Sequence, residues 1–113
     1  MKKKILCFDI DNVICSTSKS NYAKSKPRKA VIKLINDLYE DGHIIKIFTS
    51  RFMGRNKENA IQAKKQGYLY TYKQLKKWNL KFNKLIMGKP SFDILVDDKS
   101  LGFNKDWFKK FKI

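Results

Sequence analysis

Asp9 and Asp11 directly follow the apolar run Ile5–Phe8, and Asp97 and Asp98 directly follow Ile94–Val96. The chain holds only ten acidic residues, so four at two strand ends is a concentration of scarce charge. A carboxylate just past an apolar parallel strand lies at the edge where α/β sheets bind ligands. Four grouped there repel one another unless a cation sits among them. Oxygen donors without Cys or His beside them suit a hard ion, and Mg²⁺ is the natural candidate. Each pair also has a plainer reading. Asp11 with Asn12 suits a turn or helix cap, and Asp97 with Asp98 suits the cap of a following turn. One pair alone would carry no information; two pairs at two strand ends favour a metal site.

Two more features converge on the same edge. The run Ile44–Phe48 leads into Thr49, Ser50 and Arg51, where a hydroxyl and freed backbone N–H groups suit phosphate oxygens. Leu85–Met87 leads into Gly88, Lys89 and Pro90, which brings a lysine to that edge. Other chemistries lack their parts. The single histidine, His43, stands between Gly42 and Ile44 and reads as a turn residue. Cys7 and Cys15 form no C-x-x-C pair, and Cys7 reads as a small buried hydrophobe.

The elements that must hold these residues alternate in type. Ile5–Phe8 is a short continuous apolar run, expected as a strand buried on both faces. Residues 16–26 are polar and read as a loop. Pro27 suits the first turn of a helix whose apolar face is Val31, Leu34, Ile35 and Leu38, stopped at Gly42. Ile44–Phe48 predicts a second strand. A polar helix is expected from about Lys57 to Gln66, stopped near Gly67. Thr71 and Gln74 have capping-box spacing for a short helix that ends near Trp78. Leu85–Met87 and Ile94–Val96 are the third and fourth strand candidates. Asp106–Phe111, with Trp107 and Phe108, is expected to pack over the sheet. The pattern predicts an α/β sandwich with a parallel sheet.

Length and charge bound the rest. The 113 residues allow one domain, 1–113, and 42% hydrophobic residues supply a core. The net charge of +16 attracts phosphate in any form. Only three of the 26 basic residues are Arg, however, and the lysines spread from Lys2 to Lys112. That distribution reads as a solvated surface with weak, non-specific polyanion binding. Tyr68, Tyr70 and Tyr72 alternate closely; core packing or a subunit contact is favoured over a stacking platform. Asp9 and Asp11 interrupt the first apolar stretch, which excludes a signal peptide or membrane span there, and a cytoplasmic, thiol-reduced protein is expected.

The motif order FDIDN, IKIFTSR, MGKP and ILVDDK resembles that of the haloacid dehalogenase-like phosphatases over Lys4 to about Phe103. Within that family it looks like the short capless members, especially those linked to capsular and lipopolysaccharide sugar biosynthesis. The resemblance implies a Rossmann-like three-layer sandwich with a mainly parallel sheet and no separate cap domain. It implies that Asp9 attacks phosphorus to form an aspartyl-phosphate, while Asp11 protonates the leaving oxygen and then activates water. Thr49 and Ser50 would bind the phosphoryl group, and Lys89 would neutralise its charge. Mg²⁺ would be held by Asp9, Asp11 and Asp97, with Asp98 completing the shell. Asn12 departs from the Gly common at that position, but Asn tolerates a positive φ.

The function so implied is Mg²⁺-dependent hydrolysis of a phosphomonoester, a small phosphorylated metabolite such as a sugar phosphate. Without a cap the site is open, or is covered by a neighbouring subunit of a homo-oligomer. The +16 surface keeps two alternatives in play: a phosphatase for nucleic-acid ends or another phosphorylated macromolecule, and a non-catalytic basic binding module.

Overall fold

The computed structural model describes residues 2–112. Three parallel strands form its main sheet in the order β1 (Ile5–Phe8), β4 (Ile44–Thr49), β5 (Lys84–Met87). The register pairs Phe8 with Ile47 and Thr49 with Met87, so the residues after all three strands share one edge. Two helices, α1 (Lys29–Glu40) and α2 (Ala60–Lys77), make the crossovers between them. Side chains alternate across a strand, and one face gathers Phe8, Ile45, Ile47 and Leu85. They join Val31, Ile32, Ile35 and Leu38 of α1 and Leu75 of α2 in one buried cluster. The helical periodicity read for α1 is therefore its core face.

The closing segment also packs as expected. Trp107 is buried, its ring centroid 5.9 Å from Phe8 and 5.8 Å from Phe111. His43 sits in the turn before β4, buried, with Nδ1 accepting the Lys4 N–H at 3.0 Å.

Several expectations are corrected. Residues 16–26 are not simply loop. Cys15–Ser16 (β2) pairs antiparallel with Lys26–Pro27 (β3), and a 3₁₀ turn spans Tyr22–Lys24 between them. Pro27 thus belongs to a strand, and α1 begins two residues later. A proline on a two-residue ribbon gives up no ladder bond that a wider sheet would need.

The two helices expected between residues 57 and 78 are one, α2, capped by Asn59, whose side chain accepts the Gln62 N–H at 3.1 Å. Gly67 does not stop the helix. A Cβ there would lie 2.1 Å from Phe52 Cδ2, so glycine provides the notch that receives the Phe52 ring. Thr71 is consequently a buried mid-helix residue and not a cap.

The strand expected over Ile94–Val96 does not form; these residues are 81%, 51% and 92% exposed. Pro90 upstream lacks an amide donor. Downstream, the chain turns at once, with the Lys99 N–H donating to Asp97 Oδ1 at 3.0 Å. Without that strand β1 is an edge, and its second face is open. Ile5 is 63% exposed and Cys7 is exposed, against the expectation that both faces are buried. What stands is an α/β fold with a parallel sheet covered on one face.

Two outcomes check this packing. Gly67→Ala is expected to destabilise by about 1–3 kcal/mol through overpacking against Phe52, where an open helix site would gain about 1 kcal/mol; urea unfolding reads the sign. Thiol labelling of the native protein is expected to modify Cys7 quickly and Cys15 only on unfolding. Partial burial pushes the Cys7 thiol above its ordinary value, so its labelling accelerates into alkaline pH. Protection of Cys7 would mean that a further segment covers β1.

Candidate active site

Asp9 is the first residue past β1. Its Oδ1 accepts the Ile10 N–H at 2.7 Å, and its Oδ2 lies 3.2 Å from Lys89 Nζ. The chain then tightens: the Ile10 carbonyl accepts the N–H groups of Val13 (3.1 Å) and Ile14 (2.8 Å), and Asn12 takes φ 65°. Asn at a left-handed position meets the expectation for that departure from Gly. The turn buries Ile10 and Ile14 fully and leaves Asp11 facing across to the end of β4.

There Asp11 meets Arg51. The guanidinium donates from Nε to Oδ2 at 3.0 Å and from Nη2 to Oδ1 at 2.9 Å, the paired geometry that favours Arg over Lys. Thr17 Oγ1 donates to the same Oδ1 at 2.6 Å. The remaining sides of the arginine are also filled. Nη1 donates to Gln74 Oε1 at 2.6 Å, and Gln74 Nε2 donates in turn to the Tyr22 carbonyl at 2.7 Å. Arg51 Cζ stands 4.5 Å from the Tyr22 ring centroid, within cation–π range. The side chain of Arg51 has 0% exposure. It is a positioning group for Asp11, each of its three nitrogens donating to a side chain of the protein.

The backbone next to Arg51 is bent to permit this. Phe52 holds φ 68°, a left-handed value that is rare for a bulky residue, and its ring drops into the Gly67 notch. Gly88 holds φ 95°, and a Cβ on it would meet Ala60 Cβ at 2.9 Å. That turn lets Lys89 donate its N–H to the Thr49 carbonyl at 3.1 Å and send its side chain back to Asp9.

Thr49 is fully buried at the end of β4, its Oγ1 accepting the Arg51 N–H at 3.1 Å, which leaves the hydroxyl hydrogen free to donate. Ser50 follows it, half-buried. Asp9, Asp11, Thr49, Ser50 and Lys89 therefore share the edge that the sequence assigns them. Asp97 and Asp98 do not join them. They lie exposed in a turn, where the Lys99 N–H holds the Asp97 carboxyl below the usual carboxylate range. That is the turn-cap alternative. Among the described residues no three Asp, Glu, His or Cys side chains converge as cation ligands.

Thr17, Tyr22 and Gln74 are site residues that sequence reasoning missed, and Arg51, placed at this edge for its backbone, owes its role to its side chain. The one available signal was the rarity of Arg: a residue used three times in so lysine-rich a chain marks places that need its fork.

The site has two electrostatic consequences. Removing Arg51 leaves Asp11, mostly buried, without its partner. Arg51→Met is expected to lower stability by about 3 kcal/mol, and Arg51→Lys to recover only part of it, as read by chemical unfolding. Asp9 differs. Burial pushes its carboxyl above the ordinary carboxylate value, with Lys89 pulling partly the other way. The folded state then binds this proton more tightly than the unfolded state, so Asp9 favours folding below pH 3.8 and that contribution is lost as pH rises through the elevated value. Asp9→Asn is expected to raise stability at pH 7 in metal-free buffer, with the gain shrinking towards pH 3. Equal stability at both pH values would refute it.

No protein-family model matches the sequence, and no curated protein matches it. Among solved structures, the chain is similar to a structural-genomics target from Vibrio cholerae. The two are 23% identical with a TM-score of 0.85, over 99% of this chain and 91% of that one. Among the described residues no helix is long and apolar enough to cross a membrane. The likeness is one of fold, a parallel α/β arrangement.

Proposed function

We propose that this chain is a phosphomonoester hydrolase of the haloacid dehalogenase-like kind, with Asp9 as nucleophile and a Rossmann-like core. The observation that carries the reading is the contact of Lys89 Nζ with Asp9 Oδ2 at 3.2 Å, made across 80 residues at the carboxyl edge of a parallel sheet. A lone buried carboxylate would be a poor place for a phosphate; a carboxylate beside an ammonium is a workable one.

The steps follow from these side chains. An Asp9 oxygen forms a bond to phosphorus as the bond to the leaving oxygen breaks, and Asp11 supplies the proton that the leaving oxygen takes up. Lys89 neutralises charge on the phosphoryl oxygens, and Thr49 and Ser50 donate to them. Asp11 then removes a proton from water, which cleaves the aspartyl-phosphate and returns Asp9. Both Asp11 oxygens accept hydrogen bonds from Arg51, the acceptor character that the second step uses. Mg²⁺ belongs to this proposal: Asp9 and Asp11 would contribute to its shell, Asp97 and Asp98 would have to reach the edge to complete it, and the ion would supply positive charge to the phosphoryl oxygens. The proposed substrate is a small phosphorylated metabolite such as a sugar phosphate, in a cytoplasmic setting where Cys7 and Cys15 stay free.

Phosphate release with Mg²⁺ across sugar phosphates, nucleotides and end-phosphorylated oligonucleotides tests the reading. Turnover is expected to fall by on the order of 10⁴-fold in Asp9→Asn and by about 10²–10³-fold in Lys89→Met. No release by the folded wild-type protein on any of these, or activity that survives Asp9→Asn, overturns it.

A further inference from the structure

A groove of about 460 Å³ runs between α2 and the outer edge of β5, at the opposite end of that strand from Lys89. Its lining includes Tyr68, Tyr72, Phe82 and Asn83, with Lys64 and Lys84 at its sides and no acidic residue. Positions 64, 68 and 72 recur every four residues and so lie along one stripe of the helix.

The two tyrosine rings are stacked, 6.1 Å apart and 21° from parallel, and both are half-exposed. Tyr72 is enclosed: Phe82 meets its edge at 5.6 Å, and Lys76 Nζ lies 5.4 Å from its ring centroid and 4.7 Å from that of Phe82, so Tyr72 backs Tyr68 against the core. Asn83 is fixed too: its N–H donates to the Ile45 carbonyl at 2.8 Å and its Oδ1 accepts the Ile45 N–H at 2.7 Å. Its side-chain NH₂ is thereby pinned beside the groove as a donor.

We propose that this groove binds single-stranded nucleic acid, with a base stacked on Tyr68, which Tyr72 backs, and phosphates held by Lys64 and Lys84. Aromatic faces tolerate any base, and flanking lysines follow the backbone; together they make a sequence-tolerant platform. The net charge of +16 adds long-range attraction for a polyanion. An acidic peptide satisfies the lysines but offers no planar base to the Tyr68 ring. Because the groove lies away from Asp9 and Lys89, binding there does not depend on the hydrolase reading.

Fluorescence anisotropy of labelled dT₁₀ and rU₁₀ with the full chain, at 50 and 200 mM salt, tests it. Tyr68→Leu, which keeps apolar volume, is expected to weaken binding about tenfold, and Tyr72→Leu, which removes only the ring behind it, to weaken it less. Lys64→Glu with Lys84→Glu, both on exposed positions, is expected to weaken it at least tenfold and to flatten the salt slope. Lys26→Glu with Lys29→Glu, outside the groove, is expected to change it less than threefold. Equal loss from both lysine pairs with none from Tyr68→Leu would overturn the proposal in favour of a diffuse basic surface. Competition by polyglutamate as effective as that by oligonucleotide would reassign the groove to acidic peptides. Displacement by inorganic phosphate at comparable concentration would reduce it to a small-anion site.

Discussion

A guanidinium that gives up all its water must find every hydrogen bond and its counter-charge inside the protein, and Arg51 imposes that demand on the molecule. Four segments far apart in sequence meet to satisfy it: the turn after β1 with Asp11, the loop with Tyr22, the end of β4, and α2 with Gln74. The left-handed Phe52 and the Gly67 notch belong to the same solution, because the chain must double back while Arg51 points inward. The contact that fixes one carboxylate therefore also fixes where α2 lies against the sheet.

That demand divides the edge into two parts. Asp11 is held in position by Arg51 and Thr17, with Oδ2 taking one bond only. Asp9 has one ammonium beside it and a backbone N–H, which do not fully offset its burial. A carboxylate in that condition gains from additional positive charge or from transferring its own charge to a bound group. The structure thus leaves the electrostatic cost of burial on Asp9, beside the lysine, and uses the arginine to orient Asp11.

How much of this was legible in the sequence follows from the range of each interaction. β1, α1, β4 and β5 come from apolar runs and helical periodicity, which are local, and the edge residues Asp9, Thr49 and Lys89 follow from strand ends. α2 was divided because Gly67 usually marks a stop; its actual reason, a ring arriving from Phe52 fifteen positions earlier, leaves no local trace. Arg51 with Asp11, 40 residues apart, and with Gln74, 23 apart, are equally non-local. Ile94–Val96 fails for the opposite cause. Its apolar pattern is right for a strand, but the neighbouring turn at Asp97 takes hold of the chain through bonds to Lys99 and Ser100.

The uncovered face of the sheet gives the lysine surplus a physical role. A three-stranded sheet with both outer strands unpaired and apolar residues such as Ile5 and Ile44 in water is a template for stacking and for strand addition. Lys46 interrupts that face, and Lys2, Lys3 and Lys4 crowd the start of β1. Like-charged side chains at these places act as gatekeepers, making approach of a second copy unfavourable before any backbone bond can form. Their reach is set by screening, about 10 Å at 0.1 M salt. The colloidal behaviour of the chain, its tendency to stay dispersed or to cluster, is thus under ionic control even where the lysines touch no ligand at all.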